Sequence, residues 1–85
     1  MTKYSVEIKW NVSVINDIET PDMKYYVCGD SVDGVFEQEM EKLGERYNSL
    51  LQYESYAEHN AFKRFERFFY EGRFVGIMTV AVVTA

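Results

Sequence analysis

The chain is poor in the residues that build metal and thiol chemistry. Its 85 residues include one cysteine, Cys28, and one histidine, His59. That excludes a four-ligand His/Cys metal site and any internal disulfide. One proline, Pro21, and five glycines leave no linker-like stretch, and no repeat or low-complexity segment is present. Long apolar runs are missing too. The longest, 74–85, is interrupted by Gly76 and Thr79 and falls short of the ~20 residues a membrane-spanning helix needs. The first residues, 1–7, carry a lysine but no apolar segment of the secretory kind. A soluble protein of a reducing, cytoplasmic compartment is therefore expected, with no membrane partner. Basic residues are outnumbered, nine Lys and Arg against fourteen Asp and Glu, for a net charge of −5. That balance argues against direct nucleic-acid binding by the chain as a whole.

Apolar side chains, by contrast, make up 47% of the sequence and aromatic ones 16%, far above what disordered segments carry. One compact domain over 1–85 is expected, since the chain is too short for a second. Residues 3–14 alternate without a fault. Tyr4, Val6, Ile8, Trp10, Val12 and Val14 point one way and polar residues the other, which predicts a strand with one buried face. A polar loop follows, and 23–28 reads as a second, shorter strand, pairing with the first as a long-turned antiparallel hairpin. Val32, Phe36, Met40, Leu43, Tyr47, Leu50 and Leu51 recur at steps of mostly three and four, predicting a helix over about 32–51 that starts at Asp30 or Ser31. Ser55 and Glu58 have the spacing of a capping box, Ala57, Ala61, Phe62, Phe65, Phe68 and Phe69 share a helical face, and Gly72 fits a C-terminal cap. These signals predict a second helix over about 56–71, with the phenylalanines as core. Residues 73–84 form the last strand, apolar on both faces and thus central or covered. The expected fold is ββααβ, an α+β arrangement in which a three-stranded antiparallel or mixed sheet packs on a helical hairpin in two layers. In that topology the last strand runs parallel to the first if it lies beside it, and antiparallel if it lies beside the second.

Catalysis finds little support in these residues. Cys28 and His59 could form a thiol–imidazole pair, but no third orienting group is spaced to join them. The segment Gly29–Gly34 lacks the lysine of a phosphate-binding loop, and no carboxylates are arranged as a calcium loop. No catalytic residue, metal or cofactor is assigned, and a non-enzyme is expected.

Charge patterning is more informative. Asp33, Glu37, Glu41 and Glu45 repeat at i+4 on the helix face opposite the apolar stripe. Each step rises ~6 Å, and like charges at this spacing cost tenths of a kcal/mol each. Acidic helix faces are usually only solvated. The functional reading is a surface, with Asp30 included, that docks on a basic protein groove of the kind that holds nucleic acid. Tyr26 and Tyr53 are the outward aromatics that would anchor such an interface. In size, charge and lack of catalytic chemistry the chain has the style of phage-encoded inhibitors of host nucleic-acid enzymes or defence systems, including anti-CRISPR proteins. No motif carries that likeness, and no family is recognised.

Two other readings compete. Tyr56, Lys63, Arg64, Arg67 and Tyr70 would share the outer face of the second helix, and cations interleaved with rings suit single-stranded RNA or DNA. Alternatively, the apolar last strand makes the chain an assembly subunit, and a homodimer would cover its open face.

Overall fold

The computed structural model describes residues 1–54 and 59–83. The alternation of the first segment becomes strand β1 (Thr2–Trp10), which buries Tyr4, Val6 and Ile8. The chain then folds a small hairpin, β2 (Val14–Ile15) and β3 (Ile18–Glu19), across Asn16 and Asp17. Both turn residues have positive φ, as a two-residue turn that matches strand twist requires. Strand β4 (Met23–Gly29) returns antiparallel to β1. Helix α1 (Val32–Arg46) starts at the Ser31 cap, whose side chain accepts from the Gly34 amide at 3.0 Å. A two-residue strand β5 (Gln52–Tyr53) comes before β6 (Lys63–Tyr70) and β7 (Arg73–Val82). Strands β4, β1, β7, β6 and β5 lie in that order in one wholly antiparallel sheet.

Only one helix is present among the described residues, so the ββααβ arrangement with its helical hairpin is corrected. Residues 63–70, expected as helix, are extended and pair with β7 along their whole length. Gly72 is no helix cap. It and Glu71 are the two positive-φ residues of the β6–β7 hairpin turn. The capping box at 55–58 lies outside the described residues. The extra strand also reverses the direction of β7, which lies beside β1 yet runs antiparallel to it. Boundaries shift as well. The first strand stops at Trp10 rather than continuing to residue 14, and α1 stops at Arg46 rather than near 51. Asn48 there takes a left-handed conformation (φ 52°), and asparagine is one of the residues that tolerates it at a helix end.

Helix α1 covers one face of the sheet. Its Val32, Val35, Phe36, Met40 and Leu43 meet Val6 and Ile8 of β1, Met78 and Val80 of β7, and Phe68 of β6 in one core. Tyr47, fully buried, closes the far end and donates its hydroxyl to the Glu19 carbonyl at 2.9 Å. The small hairpin adds Ile15 to the core and ties down that end. Asn16 donates to the Tyr47 carbonyl at 2.7 Å and accepts from the Tyr70 hydroxyl at 2.6 Å. A register shift between Phe68 and Phe69 leaves Val75 as an extra residue on β7. The bulge lets Val75 be fully buried although it neighbours the inward position of Gly76. No helix in the described residues is long and apolar enough to cross a membrane.

Candidate functional site

Of the sequence-predicted acidic face, the structure gathers three members and diverts a fourth. Glu37, Glu41 and Glu45 are exposed along α1 and line an open groove of about 810 Å³ between the helix and the segment that follows it. From residue 37 to residue 45 the helix rises ~12 Å. The opposite wall brings Leu50 and Tyr53, and Met40 and Leu51 lie in the floor. Leu50 was expected on the buried stripe of the helix. It is 84% exposed, because α1 ends at Arg46 and the left-handed Asn48 turns the chain outward. Tyr53 is 37% exposed, and its ring meets Phe36 edge-on at 5.2 Å. The tight wall depends on Gly44, where a side chain would lie 2.6 Å from the Ser49 carbonyl oxygen.

Asp33 does other work. It accepts from Arg64 at 3.1 Å and contacts His59 Nε2 at 2.6 Å. Arg64 in turn binds Glu66 at 2.6 Å through Nε, and its guanidinium lies 4.2 Å from the centre of the Phe36 ring. Asp30 lies apart from the groove, in a shallow cleft at the start of α1 shared with Asp33 and His59. Tyr26, 54% exposed, is on β4 with Lys3 Nζ 4.9 Å from its ring centre. It does not line the groove.

The residues assigned to a basic–aromatic face of a second helix do not share one face among the described residues. In β6, Arg64 and Glu66 point into the core side with Phe68, whereas Lys63 and Arg67 are exposed on the other face. Arg67 is held by Glu54 at 2.7 and 3.0 Å. Tyr70 is half-buried against the core, and Tyr56 lies outside the described residues. Among the phenylalanines expected as core, only Phe68 is fully buried. Phe62 is 71% exposed. His59 belongs to no helix but to a bridge with Arg64. Cys28 is exposed, on a strand at the opposite end of the domain's sheet order from β6. No cluster of three or more metal-ligating side chains occurs among the described residues.

One acidic residue of α1 carries no mark in the sequence. Glu39 is 4% exposed, accepts from the Tyr25 hydroxyl at 2.8 Å and from Gln38 at 3.0 Å, and approaches Lys42 at 3.5 Å. Burial first, then the hydrogen bond and charge of Glu39, push the Tyr25 phenol well above its ordinary value of 10.0. In the unfolded chain that phenol ionises near pH 10, whereas in the fold it keeps its proton. Stability is therefore intact below about pH 10 and falls as pH climbs above it. Tyr25→Phe is expected to give a shallower decline of Tm above about pH 10 in thermal melts. The same slope in both proteins would contradict this coupling.

No protein family, curated protein or solved structure matches the chain.

Proposed function

We propose that the chain is a non-enzymatic binding protein. It docks the groove beside α1 on a protein segment that carries basic residues around an apolar anchor. One observation carries the reading: Glu37, Glu41 and Glu45 line the same groove as the exposed Leu50 and the half-open Tyr53. Carboxylates alone would suit a merely solvated helix. An apolar floor and an exposed leucine between them suit a partner side chain that must leave water. The acidic rim would steer a basic partner and set its register, and the apolar centre would supply contact energy. Inhibition of a nucleic-acid enzyme through its basic groove is one use of such a surface.

The test has two arms. Wild type and a Glu37→Gln/Glu41→Gln/Glu45→Gln variant are used as parallel baits in nuclease-treated lysate. A partner held by wild type and lost from the variant is expected. The partner's own basic segment, as a labelled peptide, is then titrated into both proteins. At about 0.2–1 kcal/mol per exposed charge contact, removal of three predicts a loss of about threefold to a hundredfold. The loss should shrink as salt rises, and Leu50→Ser should weaken binding without changing the salt dependence. Equal capture and equal affinity for wild type and the triple variant would reject the proposal.

A further inference from the structure

The sheet face that α1 leaves uncovered gathers five of the nine basic residues. Alternation and register put Lys3 and Lys9 of β1, Lys24 of β4, and Lys63 and Arg67 of β6 on it. Among the described residues its carboxylates are Glu7, opposite Lys24, Asp22, which lines a cleft with Glu7, Lys9 and Lys24, and Glu54, which binds Arg67. These five basic residues share the face with three described carboxylates, whereas Glu37, Glu41 and Glu45 lie exposed on α1. The net charge of −5 thus averages two unlike faces. Rings lie among these cations. Lys63 Nζ is 5.7 Å from the centre of Phe65, Arg67 is 5.8 Å from Phe74, and Phe69 meets Phe74 at 6.0 Å. Between β1 and β6 runs β7, whose outward Ile77, Thr79 and Ala81 are uncharged and half-buried. The lysines of β1 and β6 therefore flank a neutral trough about 10 Å across, two strand spacings.

We propose that this face binds single-stranded nucleic acid, with Phe65 and its neighbouring rings stacking on bases and Lys3, Lys9 and Lys63 holding phosphates. Arg67 is already engaged by Glu54, whereas Lys3, Lys9 and Lys63 form no ion pair among the described residues. Flanking cations with rings between them match the two features sequence-tolerant strand binding uses, an electropositive track and stacking platforms. A duplex hides its base faces and would use only the charge. A second copy packed face to face would set lysines against lysines.

The experiment is fluorescence anisotropy with a labelled 15-residue oligo-U, its oligo-dT counterpart and a 15-base-pair duplex, at 50 and 200 mM salt. Single strands are expected to bind more tightly than duplex, and more weakly as salt rises. Lys3→Gln/Lys9→Gln/Lys63→Gln, all at exposed positions, should weaken binding at least tenfold. It should also flatten the log–log salt slope by about 2, at ~0.7 for each phosphate left without its lysine. Phe65→Ala should weaken binding about fivefold or more and leave that slope unchanged. Should Phe65→Ala lower the melting temperature sharply, the lysine variant decides alone. The groove variant at Glu37, Glu41 and Glu45 should bind strands as wild type does, so the two proposals fail separately. No binding at 50 mM salt, equal binding of duplex, or an unaffected lysine variant would overturn the assignment. So would a stable dimer by sedimentation that the lysine variant leaves intact and that excludes oligonucleotide.

Discussion

Arg64→Leu is expected to cost about 3–5 kcal/mol, the usual result of removing one partner from a buried ion pair. A domain of this size holds about 4–13 kcal/mol in all, so the variant would sit near the edge of folding. The reason lies in Glu66, which is 2% exposed on the core side of β6. Arg64 binds its Oε2 at 2.6 Å through Nε and at 2.5 Å through a terminal nitrogen, while Oε1 has no partner among the described residues. Without the guanidinium a carboxylate would remain buried and uncompensated beneath α1. Arg64 also spans two layers, bonding Asp33 of the helix and covering the Phe36 ring. Arg64→Leu/Glu66→Leu removes both charges together. It is expected to recover most or all of the loss, since well-packed apolar replacements of buried ion pairs are often neutral or better. Urea melts of the single variants and the double variant give the cycle directly. A double variant as unstable as Arg64→Leu would show that the loss comes from the missing Asp33 and Phe36 interactions instead.

The same pair explains why the sequence of β6 reads as a helix. A strand with one buried face advertises itself by alternation, as β1 does from Tyr4 to Trp10. In β6 the inward positions are Arg64, Glu66, Phe68 and Tyr70, and the outward ones include Phe65 and Phe69. Charge lies inside and rings outside, so the period of two vanishes. The phenylalanines at 62, 65, 68 and 69 then imitate a helical stripe. The ion pair that legitimises the inward charges is visible only once β6 lies beside β7 and under α1. Helix α1 was legible because its apolar stripe and acidic face are both local patterns. Its acidic residues were legible as exposed, but not which of them are engaged. Asp33 is held by Arg64 and His59, 31 and 26 positions further along the chain, which helix spacing alone does not reveal. The groove needed a further fact, the left-handed Asn48 that turns Leu50 out of the stripe it seemed to continue. The basic sheet face was hidden more completely. Its lysines come from three strands that are distant in sequence, and the acidic total masked them.

Phe68→Ala carries the other large expected loss, about 3–5 kcal/mol, as for other aromatic deletions in cores. Its ring is fully buried, meets Trp10 edge-on at 5.1 Å and lies across Gly76 of β7. A side chain at Gly76 would come within 2.7 Å of the tip of that ring and 2.8 Å of the Lys9 carbonyl oxygen. Gly76→Ala is therefore expected to cost about 1–3 kcal/mol by overpacking. The two changes act on the same space from opposite sides. In Phe68→Ala/Gly76→Ala the added methyl enters the hole the ring leaves, so the combined loss should fall short of the two single losses added together by at least about 0.5 kcal/mol. Only the encounter with the Lys9 carbonyl would remain. Strict additivity in denaturant melts would show that the strain at Gly76 comes from the β1 backbone rather than from the ring. This packing also bears on the outer face. It is where β1, β7 and β6 are fixed against one another, since Lys9 and Phe68 both meet Gly76. A β6 that slid along β7 by one residue would turn Lys63 and Phe65 to the core side and Arg64 and Glu66 to the solvent. Phe68 seated on the one residue without a side chain holds the register in which the lysines of β1 and β6 flank the same trough.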